Sequence, residues 1–291
     1  MSPSSLKLKL FNFVKKASPT RGVEYLLTWI GFSIVALIIF SAIFAPYVAP
    51  YDPTKRVGDL LESPNTRFIM GTDGLGRDIF SRVIWGSRTV LYITFLSIAI
   101  TLICGIPLGL LAGYVGGAVD SILSLIMDAM YAFPGLILAI AIAAALGPSE
   151  ITVAIAIAVI YIPTYFRMVR GQVLSLRESL FVEAARAIGA KDRTIIFKYI
   201  FPNVITSIPI VLSLNAADAV LTEAALSFLG LGPIVPPTPD WGFDLRMGQV
   251  YLAAKIWWPS TFPGLMIVLL TLGFSLLGEG ISEILNPRLR R

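Results

Sequence analysis

The sequence predicts an all-α integral membrane protein with six transmembrane helices and both termini in the cytosol. Three observations carry this. Mean hydropathy is +0.80 and only 14% of the 291 residues are charged, against about a quarter in an ordinary soluble domain. Six apolar runs reach the ~20 residues that a helix needs to cross a bilayer. The basic residues lie mainly between and beyond these runs, where the positive-inside bias places them.

Residues 1–22 form a tail with Lys7, Lys9, Lys15, Lys16 and Arg21 and no acid. The apolar run 23–49 follows. A basic start before an apolar stretch also occurs in signal peptides, but their apolar regions span only ~7–15 residues. The run is therefore read as an uncleaved first helix. Residues 50–88 make an extracytoplasmic loop with six basic and five acidic residues. In it Asp73-Gly74 is a turn signal, and Asp78 can cap an interfacial helix with Ile79, Phe80, Val83 and Ile84 on one side.

A five-helix core over 89–285 follows, with apolar runs at 89–113, 121–146, 149–169, 201–229 and 261–285. Alternation in Ala139-Ile140-Ala141-Ile142 and Ile155-Ala156-Ile157-Ala158 imitates a strand. Length and the need to satisfy backbone groups within lipid favour helix. Residues 286–291 are a second cytoplasmic tail. With the N-terminus inside, 15 of the 23 basic residues face the cytosol, which sets the orientation. Gly105, Pro107, Pro134, Gly135, Pro163 and Pro209 interrupt the spans, as kinks or as parts of helices that line a path.

Several chemistries are excluded by absence. The chain has no histidine and one cysteine, Cys104, inside an apolar run. Cys/His zinc sites, Ser-His-Asp triads and internal disulfides are ruled out. No Gly-Lys dipeptide occurs, so the chain has no P-loop. No cofactor is expected on this chain, and the dispersed charge gives no nucleic-acid face.

One stretch breaks the apolar pattern. Residues from about Ser175 to Ile188 read as a short helix with Ser179, Glu183 and Arg186 on one face. Gly189 stands where a left-handed cap would end it, and Asp192 can N-cap the next helix. The residues alone leave open an amphipathic helix on the headgroups. Within the spans, Asp128 sits ~10 Å into the third. In the fifth, Asn215, Asp218 and Thr222 share a face, with Glu223 one step around. Such carboxylates cost at least ~2.5 kcal/mol unless they face water or a partner. They are candidates for a translocation path or for buried contacts.

Glu183-Ala184-Ala185, with Gly189 and Pro202, resembles the EAA loop of ATP-binding-cassette importer permeases. Gly71-Thr72-Asp73-Gly74-Leu75-Gly76-Arg77-Asp78, the stretches 223–232 and 236–242, and Phe262-Pro263-Gly264 with Asn286-Pro287-Arg288-Leu289 are similar to the C-type subunits of dipeptide, oligopeptide and nickel permeases. The resemblance implies a type I importer permease fold in the plasma membrane of a bacterium or archaeon. It implies a heterodimer with a second permease, two ATPase subunits holding ATP and Mg, and an external substrate-binding protein. Ser179, Glu183, Ala184, Ala185, Arg186, Gly189, Ala190, Asp192 and Pro202 would then couple to the ATPases. Asp73, Arg77, Asp78 and Trp241 become candidates for docking the binding protein, or for packing the loops onto the bundle. The cargo expected is a di- or oligopeptide, with nickel complexes or oligosaccharides as alternatives. A self-sufficient secondary transporter would need an inverted repeat and an ion site, and no internal repeat is visible.

Overall fold

A computed structural model describes residues 22–233 and 238–285. Both predicted tails apart from Gly22, and Pro236-Pro237 of one signature stretch, lie outside them. The described residues are helical apart from turns and one isolated bridge between Thr72 and Asp78. We number the main helices α1 (Gly22–Ile43), α2 (Ile79–Val115), α3 (Gly117–Tyr131), α4 (Gly135–Leu146), α5 (Glu150–Arg177), α6 (Leu180–Ala187), α7 (Ile208–Phe228), α8 (Trp241–Gln249) and α9 (Trp258–Leu285). Five helical segments are long and apolar enough to cross a membrane, and α3 with α4 makes a sixth if the bent pair is one span.

Three expectations need correction. The first helix stops at Ile43 rather than 49, and a separate turn over Ala45–Val48 follows with Pro46 in its first turn. Proline cannot continue a helix from upstream because it lacks the N–H and its ring crowds the preceding turn. The interfacial helix expected after Asp78 is not separate. Asp78 caps α2 itself by accepting from Ser81 N, and α2 then runs unbroken for 37 residues. At ~1.5 Å per residue that is ~55 Å, well beyond a ~30 Å hydrocarbon layer. The third run, 121–146, is not one rod. It bends by 91° between Tyr131 and Gly135, where Pro134 holds extended backbone (ψ 122°) and α3 cannot continue.

Helix α2 packs along α5, and the reason is a stripe of small residues. Gly105, Gly109 and Gly113 recur every four residues, on one face of the helix. A Cβ on them would lie 2.9 Å from Tyr165 Cβ, 2.8 Å from Val169 Cβ and 2.7 Å from Val173 Cβ. Small residues let backbones approach within a bilayer, where van der Waals packing takes the place of the hydrophobic effect between helices. Helix α1 lies on α9, which also packs on α7. The cores are apolar: Ile38, Val90, Val220 and Leu270 in one cluster, Ile93, Ala139, Ile157 and Ala219 in another.

Two ends of the bundle matter for function. One is a cap built from residues 49–78, α8 and the start of α9. The other carries α6 and the turns after it.

Candidate coupling loop and membrane polar sites

The coupling segment is a helix with two unlike faces. Helix α5 ends at Arg177, and Ser179 takes extended backbone to start α6, so the stretch expected as one helix from Ser175 is two. Val182 and Ala185 point inward and are buried, while Glu183, Ala184 and Arg186 are exposed. Leu180 and Ile188 are each 82% exposed. Gly189 has φ +82°. Its N–H donates to Arg186 O at 2.9 Å and that of Ala190 to Ala185 O at 3.0 Å. This pair of bonds is the Schellman closure, which needs a left-handed residue at that position.

The expected capping role of Asp192 is not what the structure shows. Lys191 occupies the cap and Asp192 is the first helical residue. Its carboxylate instead accepts from the Tyr114 hydroxyl at 2.5 Å, while the Arg186 guanidinium lies 5.7 Å from the Tyr114 ring. Tyr114, at the end of α2, thus bridges both arms of the loop. Sequence reading missed it, since nothing local marks a tyrosine 78 residues away in the chain as a partner.

Beyond the turn the chain winds as a π-helix over Ile195–Ile200 before Pro202. A proline removes one N–H and crowds the carbonyl four residues earlier, and a widened turn relieves both. Ile195 and Ile200 are fully buried with Val182, Ala185, Val169 and Val173. The loop is therefore seated on the bundle while the Glu183–Ala184 surface stays open.

The membrane carboxylates separate into three environments. On α3, Asp128 pairs with Arg167 of α5 at 2.7 Å, both side chains being partly exposed, and that guanidinium lies 4.1 Å from the Tyr131 ring. Asp120 pairs with Arg170. On α7, Glu223 is fully buried rather than lining a surface. Its Oε1 accepts from Ser227 Oγ at 3.0 Å and the group faces Asp240 of the cap. Asp218 is exposed, with Asn215 buried and Thr222 half-buried beside it. Tyr161 of α5 faces Thr222 and Asp218, and Tyr165 faces Asn215.

The cap residues proposed for docking are mostly interior. Trp241 is fully buried, and its indole N–H donates to Val83 O at 2.8 Å. Asp78 is buried as the α2 cap. The Asp73 carboxylate accepts from the Leu75 and Arg77 N–H groups and pairs with the Arg77 guanidinium at 2.7 Å. Arg82 is buried against Asp244 and also donates to Pro53 O. Burial pushes the Asp244 carboxyl above the usual carboxylate range, and Arg82 opposes the shift. These groups fasten the loop to the bundle, the packing alternative for this stretch.

The described residues form a helical bundle in which five segments are long and apolar enough to cross a membrane, with a seated, half-open helix at one end. Residues 105–291 match the family described as binding-protein-dependent transport system inner membrane component, and 27–64 match the N-terminal transmembrane domain of oligopeptide transport permease C. The chain belongs to this family: it is the multi-pass inner-membrane permease subunit of an ATP-binding-cassette importer. It is 41% identical to the di/tripeptide transport system permease protein DppC of Pseudomonas aeruginosa, over 89% of this chain and 88% of that one. It is 40% identical to the glutathione transport system permease protein GsiD of Pectobacterium atrosepticum, over 88% and 85%. Solved structures of the MetNI methionine transporter in inward-facing conformations share the fold. One aligns with a TM-score of 0.57 at 19% identity, over 70% of this chain and 96% of that one.

Proposed function

We propose that this permease carries di- or oligopeptides inward, as one half of a heterodimer with a second, related permease. Two ATPase subunits, holding ATP and Mg, sit on the α6 side, which is cytoplasmic in this reading. A substrate-binding protein delivers cargo at the cap side. The peptide reading is supported by relatives named for dipeptide, di/tripeptide and glutathione transport at 40–41% identity.

The observation that carries the coupling role is the division of α6. Val182 and Ala185 lock the helix to the bundle, while Glu183, Ala184 and the turn at Gly189 stay open. Small exposed residues allow a partner groove to approach closely, and Glu183 can pair with a basic group in it. Closure of the ATPases on ATP then moves α6, and the Ile195–Ile200 turn passes the movement into α7. The ligand shifts a balance between inward-open and outward-open states by binding one better than the other. The test is ATP-driven uptake of dipeptide into proteoliposomes holding the complete complex. Glu183→Lys should abolish uptake while the complex still assembles in the membrane. Uptake at the wild-type rate would sink the coupling role.

A further inference from the structure

Asp218 occupies the middle of α7, ten residues from either end of Ile208–Phe228, or ~15 Å from each at 1.5 Å per residue. Its neighbours on the same stripe, Leu214 and Leu221, are 45% and 47% exposed. It enters none of the ion pairs among the described residues, whereas Asp120 and Asp128 each have an arginine. A carboxylate without an ion-pair partner inside an apolar span is costly against acyl chains and marks a water-filled path or a partner.

The groups around it are matched in kind. Thr222 spends its hydroxyl proton on Asp218 O at 2.9 Å, which leaves its oxygen as an acceptor. Tyr161 faces the same place from α5. A carboxylate, a threonine oxygen and a tyrosine oxygen make a set of acceptors, and an ammonium carries three donors. One turn further along the same seam Tyr165 OH and Asn215 Nδ2 face each other, and neither makes a hydrogen bond of normal geometry. Both residues are more than nine-tenths buried. They can serve the first peptide group of a chain whose amino terminus is held at Asp218.

We infer that Asp218, with Tyr161 and Thr222, binds the protonated amino terminus of the peptide in transit, and that Asn215 and Tyr165 receive its first amide. The inference rests on the peptide reading above. It explains why a carboxylate without a basic partner persists in the span: the cargo brings the cation.

The test is direct binding to the purified, nucleotide-free complex without the binding protein, by calorimetry, using dialanine and N-acetyl-dialanine. The wild type should bind dialanine at least roughly tenfold more tightly, the worth of one charged hydrogen-bonded contact. Asp218→Asn should erase the preference and Asp218→Glu should keep it. Equal binding of the two probes by the wild type, or a preference that survives in Asp218→Asn, would overturn the inference. So would loss of the second permease from the Asp218→Asn complex, which would place the group at the subunit seam. If that variant does not fold, Tyr161→Phe must still narrow the preference, and an unchanged ratio is equally fatal. Uptake of dialanine by wild-type proteoliposomes decides the peptide reading separately.

Discussion

Arg82 and Asp244, 162 residues apart in sequence, meet as a buried ion pair, with Arg82 Nε 3.0 Å from one carboxylate oxygen and Nη2 2.6 Å from the other. The contact ties the first turn of α2 to α8 and thereby the cap to the bundle. Removing one member of a buried pair strands the other, at a cost of about 3–5 kcal/mol. Arg82→Ala should therefore lower the melting temperature of the detergent-purified complex sharply. The double variant Arg82→Met with Asp244→Leu should lose much less, because no charge is left uncompensated. Equal losses in the two would show that packing, not charge pairing, holds the cap.

The α2–α5 seam makes a second, sharper comparison. Gly109 would place a Cβ 2.8 Å from both Phe166 O and Val169 Cβ, while Gly171 has nothing within 4 Å. Gly109→Ala should destabilise the complex by roughly 1–3 kcal/mol through overpacking. Gly171→Ala should be neutral or stabilise by up to ~1 kcal/mol, since alanine loses less backbone entropy in a helix. Thermal unfolding followed in parallel reads both. A harmless Gly109→Ala would mean the helices are further apart than this seam requires.

The two glycines also show what could be read in advance. Gly105, Gly109 and Gly113 are visible as a four-residue repeat, yet Gly105 alone, beside Pro107, looks like a kink. The repeat acquires meaning only once α5 supplies Tyr165, Val169 and Val173 opposite it. The apolar runs and the Gly189 turn are local or compositional, and were legible. The bend between α3 and α4 was half legible, since Pro134 marks it but the angle does not follow from a proline. The cap was ambiguous in sequence for a physical reason. A loop rich in Asp, Arg and Trp looks like a surface in sequence, and only long-range partners such as Val83 for Trp241 and Asp244 for Arg82 take it inside.

Trp241 tests that placement. It fills the space beside Gly86, where a Cβ would come within 2.7 Å of its ring, and its N–H bonds Val83 O. Trp241→Ala should cost about 3–5 kcal/mol by opening a cavity. Trp241→Phe should cost less, retaining most of the volume but leaving Val83 O without that donor. A docking role would produce the opposite pattern: unchanged melting, and weaker capture of the binding protein. Melting curves together with binding-protein affinity for the same variants separate the two.

Gly189 gives the cleanest test of coupling. A Cβ there meets nothing within 4 Å, so any penalty comes from the backbone, whose φ of +82° costs an ordinary residue roughly 1–2 kcal/mol. Asparagine tolerates that conformation and a β-branched residue does not. Gly189→Asn should therefore transport almost normally, whereas Gly189→Val should shift the turn, move Glu183 and Ala184 out of register with the ATPase groove, and uncouple hydrolysis from uptake. The quantity to measure is dipeptide imported per ATP hydrolysed in proteoliposomes. A graded fall from Gly through Asn to Val ties coupling to the left-handed turn. A fall of the same size in Asn and Val would instead assign Gly189 to direct contact with the ATPase, where any side chain obstructs.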